Sequence, residues 1–328
     1  MKRKLILDHD TGTDDAIAII TAFLGKKFDI LGICTSPLLP IEKVTENTLG
    51  VLELIGANCE VYQGVSTPLV KLLSPIREKR MIFNKPMIVD GKKVMMHRPF
   101  DLPIGSRKKN ELDAASFYVQ SLKNTKEKIT VVITGLCSNL ALALTMDDSI
   151  KENIEEIVIM GGGYLVSNIT KAAESNFFRD PEAAQIVLNS GCKITLMPLD
   201  ATHQASFNLK DTNRLRGLNT SVSDFVCSII DERYLVYKTT QPIESDDGYL
   251  VPLHDVLCIA YLVDPCIIEE FRECHCDVEC SDGVCDGNMN VDNRAFADKA
   301  NVNLALKVNR EKFVQFIYDS INSWRKDA

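Results

Sequence analysis

The sequence has one tryptophan, five histidines and an aromatic fraction of only 7%. It also has no block of clustered lysines and arginines, because the basic groups at 77–80 and 107–109 are short and scattered, and its formal net charge is -8. A chain of this kind is not expected to bind nucleic acid or an anionic membrane surface as its main partner.

Long apolar runs are also missing. The apolar run near the N-terminus is too short for the core of a signal peptide, and no stretch approaches the length that crosses a membrane. The eleven cysteines are spread from Cys34 to Cys285 instead of forming a small disulfide-rich frame. We therefore expect free thiols, a reducing compartment and a cytoplasmic location.

Two patterns that would suggest a zinc or phosphate site are incomplete. The segment CHCDVECSDGVCD (274–286) has no paired CxxC knuckles, and its cysteines alternate with polar residues at the period of a strand that leads into a hairpin. The three glycines at 161–163 lack the spacing of a phosphate-binding loop. The sequence gives little support to either kind of site.

Strand-length apolar runs alternate with amphipathic segments of helix length. Strands are predicted at 4–8, 29–35, 60–64, 129–135, 154–163 and 193–200, and helices at 14–25, 41–56 and 138–147. This order predicts an α/β fold with a Rossmann-like, open, mostly parallel sheet and helices on both faces. The regions around 71–110 and 231–250 are predicted to be long loops or flaps. Since no linker divides the chain, we expect one domain over residues 1–328.

The sequence DHDTGTDD, which begins at Asp8, places four carboxylates directly after the first predicted strand. Ligands of such a sheet bind outside the carboxyl ends of the strands, so the cluster lies at the expected site. Helix capping would account for Asp14 or Asp15. It leaves Asp8 and Asp10 unexplained, whereas a hard cation such as Ca²⁺ binds several carboxylate oxygens. Gly12 would allow the tight turn that such a loop needs.

Two families place similar residues after a first strand. DHDTGT resembles the DxDxT motif of haloacid-dehalogenase-like phosphatases, in which the first Asp is the nucleophile. DHDTGTDDAIAI resembles the DxDxGxDDAxAI signature of nucleoside hydrolases more closely. Motifs of the same family, in order, are similar to the segments ITGLCSNLALAL (133–144), MGGGYLVSNITKAAESNFFRDPEAA (160–184), MPLDATHQ (197–204) and PLHDVLCIAYLVDP (252–265). The resemblance covers residue 4 to about 295, and we identify the chain by it as a nucleoside hydrolase.

The resemblance implies hydrolysis of the N-glycosidic bond of ribonucleosides to free base and ribose, in purine and pyrimidine salvage. It also implies Ca²⁺ as the cofactor, a small-molecule ribonucleoside as the substrate, and a homo-dimer or homo-tetramer. The implied calcium ligands are Asp10, Asp15, Asp255 and the backbone carbonyl of Ser138. The implied substrate-binding residues are Asp14, Met160, Asn168, Glu174, Asn176 and Asp255. Asp10 also matches the general base that acts on a calcium-bound water, and His254 matches a histidine beside the departing base.

These residue types suit the implied reaction. Cleavage of an N-glycosidic bond builds positive, oxocarbenium-like charge on the sugar, which nearby carboxylates stabilise. A bound cation lowers the pKa of the attacking water, and a histidine has a suitable pKa to assist the leaving base. The ribose 2′ and 3′ hydroxyls can complete a calcium shell, which predicts a preference for ribose over deoxyribose.

The chain departs from the family pattern at several positions. Leu38 or a neighbour stands where the family has an Asn that reaches the ribose, and Asp90 stands where its flap has a His. Tryptophan stacking on the base is not expected, because Trp324 lies in the predicted C-terminal helix. Candidates for contact with the base, or for ordinary packing, are Phe83, Arg233, Tyr234 and Tyr237.

Other interpretations of the same residues stay open. Asn168, Glu174 and Asn176 also suit turn and cap positions before a helix that Asp180 would cap, with Pro181 at its first position. The pair His254 and Asp255 also suits the start of a helix at 255–263. The functional alternatives are a magnesium-dependent phosphatase with Asp8 as nucleophile, and a family member that binds nucleosides without turnover.

Overall fold

A computed structural model describes residues 2–70 and 86–324. The strands are β1 (Arg3–His9), β2 (Phe28–Thr35), β3 (Val61–Gln63), β4 (Met87–Val89), β5 (Lys92–Val94), β6 (Ile129–Ile133), β7 (Ile154–Met160), β8 (Ile194–Met197), β9 (Ser206–Phe207), β10 (Glu244–Ser245), β11 (Gly248–Tyr249), β12 (Val251–Pro252), β13 (Ile268–Val278), β14 (Met289–Asp292) and β15 (Val302–Val308). The α-helices are α1 (Thr13–Leu24), α2 (Ile41–Leu54), α3 (Ala114–Lys123), α4 (Ser138–Met146), α5 (Ser175–Arg179), α6 (Pro181–Leu188), α7 (Leu199–Thr202), α8 (Leu209–Arg216), α9 (Ser221–Thr240), α10 (Val256–Val263) and α11 (Arg310–Trp324). Two 3₁₀ turns cover Asp148–Asn153 and Pro265–Ile267.

Within the described ranges, nine strands form one sheet in the order β14-β13-β15-β8-β7-β6-β1-β2-β3. The seven strands from β15 to β3 are parallel to their neighbours. At the other edge, β13 is antiparallel to both β15 and β14. This order confirms the predicted α/β fold with an open, mostly parallel sheet.

Helices cover both faces of the sheet, as predicted. One core contains apolar side chains of α1, α2, α8, α9, α10 and α11. A second core, on the opposite face, contains those of α3, α4 and α6. The two cores share β1, because Leu5 and Leu7 point into the first and Ile6 into the second. Side chains alternate in this way because successive residues of a strand point to opposite faces of the sheet.

The prediction of an irregular segment at 231–250 is wrong for its first half. Helix α9 runs without interruption from Ser221 to Thr240, and only the residues after it form loops and the short β10–β11 hairpin. The helical pattern was hidden because Arg233 occupies a position on the buried face, where an apolar residue would be expected. Of the region 71–110, residues 71–85 lie outside the described ranges.

Three smaller predictions also have an outcome. The alternating cysteine segment is a strand, since β13 includes Cys274 and Cys276 and pairs with β14 as a hairpin. Trp324 ends α11 and packs against the first core, away from the carboxyl edge of the sheet. No helix in the described parts of the chain is both long and apolar enough to cross a membrane.

Candidate active site at the carboxyl edge of the sheet

A cavity of about 400 Å³ lies where β1, β6 and β7 end. Eight of the residues that the resemblance implies line it: Asp10, Asp14, Met160, Asn168, Glu174, Asn176, His254 and Asp255. Asp15 is buried beside it, and Ser138 is not part of its lining. Residues separated by up to 245 positions in the sequence are therefore gathered at one edge of the sheet.

Three carboxylates form a tight cluster at this edge. One oxygen each of Asp14, Asp15 and Asp255 lies within 4.8 Å of the others, and all three side chains are buried. Asp10 is hydrogen-bonded to Asp15. Burial, followed by the charges of Asp14, Asp15 and Asp10, raises the pKa of Asp255 well above its ordinary value. A convergent set of hard oxygen donors whose negative charges repel one another fits a divalent cation such as Ca²⁺.

Asp15 differs from its neighbours in holding its negative charge. Burial would raise its pKa, but hydrogen bonds, foremost that of His9, lower the pKa of Asp15 below its ordinary value. Its Oδ1 accepts from the Thr134 hydroxyl at 2.7 Å, and its Oδ2 accepts from the Gly12 amide at 3.0 Å. His9, the Gly12 amide and the Thr134 hydroxyl thus hold one ionised carboxylate at the start of α1.

Asp14 is held by a buried ion pair. Arg233, which is 1% exposed, donates from Nη1 to Asp14 Oδ1 at 2.6 Å and to the Thr13 hydroxyl at 2.8 Å. Its Nη2 donates to the Pro252 carbonyl at 2.8 Å. The other oxygen of Asp14 accepts from the His254 amide at 3.0 Å. Arg233 lines the cavity, but its guanidinium is committed to fixing Asp14.

His254 is fixed at both ring nitrogens. Nδ1 shares a hydrogen bond with the Thr202 hydroxyl at 2.7 Å, and Nε2 shares one with the Tyr237 hydroxyl at 2.5 Å. Burial, followed by the charge of Arg233, lowers the pKa of His254 well below its ordinary value. The neutral imidazole therefore reaches the cavity together with Tyr237, which also lines it.

The opposite wall of the cavity comes from the segment before α5. Glu174 caps this helix, since its carboxylate accepts from the Asn176 amide at 2.9 Å and from the Phe177 amide at 3.2 Å. The side-chain Nδ2 of Asn176 donates to the Thr134 carbonyl at 2.8 Å and to the Met160 carbonyl at 3.2 Å. The cap interpretation of Glu174 is confirmed, while the same side chains also line the cavity.

Asn168 belongs to this wall as well, because its Oδ1 accepts from the Ser175 amide at 2.9 Å. Asp180 caps α6 as predicted, with Oδ1 accepting from Ala183 at 3.3 Å and Pro181 at the first helical position. Asp255 precedes α10 but makes no side-chain cap bond. The capping interpretation therefore holds for Asp180 and fails for Asp255.

Ser138, whose backbone carbonyl is an implied calcium ligand, is not among the residues that line the cavity. It begins α4, and its hydroxyl donates to Asp180 Oδ2 at 2.5 Å. Thr134, four residues earlier at the end of β6, does line the cavity and contacts Asp15. The family motif includes both Thr134, after β6, and Ser138, at the start of α4, and its similarity alone does not tell which of the two lines the cavity.

Asp8 has no access to the cavity. It is fully buried and accepts hydrogen bonds from Asn139 at 3.0 Å and from the Tyr118 hydroxyl at 3.1 Å. A nucleophile must reach its substrate. The phosphatase alternative with Asp8 as nucleophile is therefore wrong.

The lining residues that sequence reasoning missed include three with polar or charged side chains, His97, Arg179 and Gln241. Arg179 lies in the segment 160–184 that carries the family resemblance, and His97 lies in the predicted loop region 71–110, but no motif assigned a role to either residue. Arg179 adds positive charge near Asp10 and Glu174. Gln241 donates to the Asn168 carbonyl at 3.2 Å.

The other candidates have mixed outcomes. Leu38 lines the cavity, whereas Tyr234 packs against Tyr249 outside it. Asp90 and Gly91 form the β4–β5 turn with φ values of 50° and 75°, the backbone that Asp-Gly turns adopt, and the Asp90 side chain is 68% exposed. Phe83 lies outside the described residues.

Comparisons with known proteins agree with one another. The model of the inosine-uridine preferring nucleoside hydrolase family matches residues 5–315. A probable ribonucleoside hydrolase of Dictyostelium discoideum is 32% identical, covering 97% of this chain and 94% of its own. The pyrimidine-specific ribonucleoside hydrolase RihA of Shewanella sp. (strain ANA-3) is also 32% identical, covering 98% and 96%. The solved structure of a purine-preferring ribonucleoside hydrolase from Gardnerella vaginalis is 28% identical, with a TM-score of 0.84 over 99% of this chain and 100% of that chain.

Proposed function

Because the chain belongs to the inosine-uridine preferring nucleoside hydrolase family and is thus an N-ribosyl hydrolase, we propose that it cleaves ribonucleosides with a calcium-bound water that Asp10 activates. The observation that carries this proposal is the convergence of Asp14, Asp15 and Asp255 within 4.8 Å, next to Asp10 in the cavity. Ribonucleoside hydrolysis to free base and ribose is the corresponding reaction.

The calcium ligands in this proposal are Asp10, Asp15, Asp255 and a backbone carbonyl. The carbonyl of Thr134 replaces that of Ser138, because Thr134 lines the cavity beside Asp15 and Ser138 does not. Asp14 is assigned to the substrate, since its ion pair with Arg233 already offsets its charge. When bound, the cation lowers the pKa of the attacking water.

Asp10 acts as the general base. It lines the cavity and is hydrogen-bonded to Asp15, and burial, followed by the charge of Asp15, raises the pKa of Asp10 well above its ordinary value. A buried carboxylate whose proton affinity is raised in this way is suited to take a proton from the attacking water. Cation binding in the same cluster would keep it ionised until then.

The remaining carboxylates and amides bind the ribose. Asp14, Asp255 and Glu174 surround the cavity with negative charge, which stabilises the oxocarbenium-like sugar of the transition state. Asn168 and Asn176 supply side-chain amides, and Met160 supplies an apolar floor.

The leaving base is assisted by His254 through Tyr237. His254 holds the Tyr237 hydroxyl at 2.5 Å, and both residues line the cavity. A hydrogen bond from this hydroxyl to a nitrogen or oxygen of the base would offset the negative charge that develops as the glycosidic bond breaks.

Further parts of the proposal concern the chain as a whole. They are a role in purine and pyrimidine salvage, a cytoplasmic location, assembly as a homo-dimer or homo-tetramer, and one domain over residues 1–328. The relatives include enzymes named as pyrimidine-specific and as purine-preferring, so family membership leaves the preferred base open.

The test is ribose release from inosine, guanosine, adenosine, uridine and cytidine, with 2′-deoxy controls, with and without a calcium chelator. We expect release from ribonucleosides, much slower release from deoxynucleosides, and loss of activity in chelator that added calcium restores. The Asp10→Asn variant should lose turnover while it retains ribose binding. Turnover by Asp10→Asn at the parent rate would exclude Asp10 as the base.

A further inference from the structure

The segment Met95–Phe100, which follows the β4–β5 hairpin, is tied firmly to helix α9. The Met95 amide donates to Glu232 Oε1 at 3.1 Å, and Arg98 Nε donates to Glu232 Oε2 at 2.5 Å. One carboxylate thus bridges two residues of the segment, on either side of His97. Glu232 immediately precedes Arg233, which fixes Asp14.

The same segment is tied to the first two helices. The Thr13 hydroxyl donates to the Met96 carbonyl at 3.0 Å. The Asn47 side chain accepts from the Phe100 amide at 2.7 Å and donates to the Arg98 carbonyl at 3.0 Å. Bonds to α1, α2 and α9 therefore set the position of the residue between them, which is His97.

The His97 ring lies over the carboxylate loop. It lines the cavity, and a Cβ added to Gly12 would come within 2.0 Å of its Nδ1. Gly12 stands between Asp10 and Asp14, so the ring adjoins the site proposed for the ribose. Arg233 and Asp15 are among the charged groups that act on it, and His97 in turn acts on His254.

These contacts give His97 a place between the sugar-binding carboxylates and the His254–Tyr237 pair. In the proposed function the sugar of a bound nucleoside faces the carboxylates and its base faces Tyr237, which places the glycosidic bond at this junction. A ring nitrogen of His97 at this junction can donate or accept a hydrogen bond, and hydrogen bonds to the base distinguish one base from another.

We propose that His97 is a specificity-determining residue that hydrogen-bonds the nucleoside on the base side of the glycosidic bond. The proposal rests on the proposed function, because it takes the orientation of the nucleoside from it. The positioning groups are Glu232, Asn47 and Thr13, which hold the segment from outside the cavity.

The test compares His97→Phe, which keeps a planar ring without hydrogen bonding, with His97→Gln, which keeps hydrogen bonding. The same two substitutions at His275, on β13 and outside the cavity lining, serve as matched controls. We expect His97→Phe to lower kcat/KM by about 10-fold to 100-fold and to change the ratio between uridine and inosine, with His97→Gln nearer to the parent. The His275 variants should leave both quantities unchanged.

Two readouts separate this role from a structural one. Calcium affinity and the melting temperature of His97→Phe should stay close to those of the parent, and inhibition by free ribose should be unaffected. A parent-like kcat/KM and base ratio in His97→Phe would overturn the proposal. Equal losses in both His97 variants, together with weaker calcium binding, would also overturn it in favour of a packing role.

Nucleoside binding measured calorimetrically in the Asp10→Asn background distinguishes failure of this proposal from failure of the proposed function. If the parent released no ribose but His97→Phe still weakened the binding of some nucleosides more than others, the proposed reaction would be refuted and the proposed role of His97 supported. If the parent released ribose but His97→Phe bound every nucleoside equally well, His97 would be wrong.

Discussion

Replacing Arg233 by methionine removes the guanidinium that holds Asp14 and leaves an apolar side chain of similar length in a site that is 1% exposed. Asp14 would then keep the hydrogen bond from the His254 amide but lose its charged partner. The Pro252 carbonyl and the Thr13 hydroxyl would each lose a partner as well.

The expected loss follows from these contacts. Removing one member of a buried ion pair costs about 3–5 kcal/mol, because the remaining charge stays desolvated. In a chain of 328 residues, with about 2.1 cal/mol/K of unfolding entropy per residue, that corresponds to a fall in melting temperature of roughly 4–7 °C. Burial already raises the pKa of Asp14 and the charge of Arg233 lowers it, so the pKa rises further in the variant. Protonation then relieves the buried charge at low pH, and the loss should be larger at pH 8 than at pH 5.5.

The measurement is urea unfolding in the presence of a chelator at both pH values. Arg216→Met is the matched control, because Arg216 forms a 2.7 Å ion pair with Asp231 on the surface, where both side chains are about half exposed. That pair should contribute no more than about 1 kcal/mol. An Arg233→Met variant as stable as Arg216→Met, or with the same loss at both pH values, would refute the assignment of a buried, ionised pair.

Two further predictions concern groups beside the cavity. Burial raises the pKa of Asp8 to about 7 from 3.8, so the folded chain holds a proton that the unfolded chain releases, and this stability is lost as the pH rises between those values. The free energy of unfolding of the parent, relative to that of Asp8→Asn, should fall by about 2 kcal/mol from pH 5.5 to pH 7 in chelator. If the unfolding free energies of the two proteins changed equally with pH, the raised pKa of Asp8 would be contradicted. Tyr237→Phe should lower kcat by about 10-fold or more with calcium affinity unchanged, since His254 loses its contact with the leaving base, and an unchanged kcat would exclude that role.

The parts of the fold that sequence reasoning predicted well are those with a local physical signal. The buried parallel strands are continuous apolar runs, and Asp180 and Pro181 have the pattern of a helix start. The carboxylate loop was recognisable because four acidic residues in eight positions have no simple structural explanation.

The parts that were missed depend on contacts between distant segments. Arg233 interrupts the apolar face of α9, and its partner Asp14 lies 219 positions away. His97 enters the cavity only because Glu232 and Asn47 hold its segment. Ser138 and Thr134 are four residues apart in one motif, and only the end of β6 distinguishes the one that lines the cavity.

The contact between Asp14 and Arg233 also bears on the order in which the molecule can assemble. Closing a loop of 219 residues is entropically costly and comes late compared with the pairing of neighbouring strands and helices. A refolding chain can therefore acquire β1, β2 and α1 while the ribose-binding carboxylate still lacks its partner. Competence to bind substrate then returns with the docking of α9, so the recovery of binding reports that α9 has docked against α1.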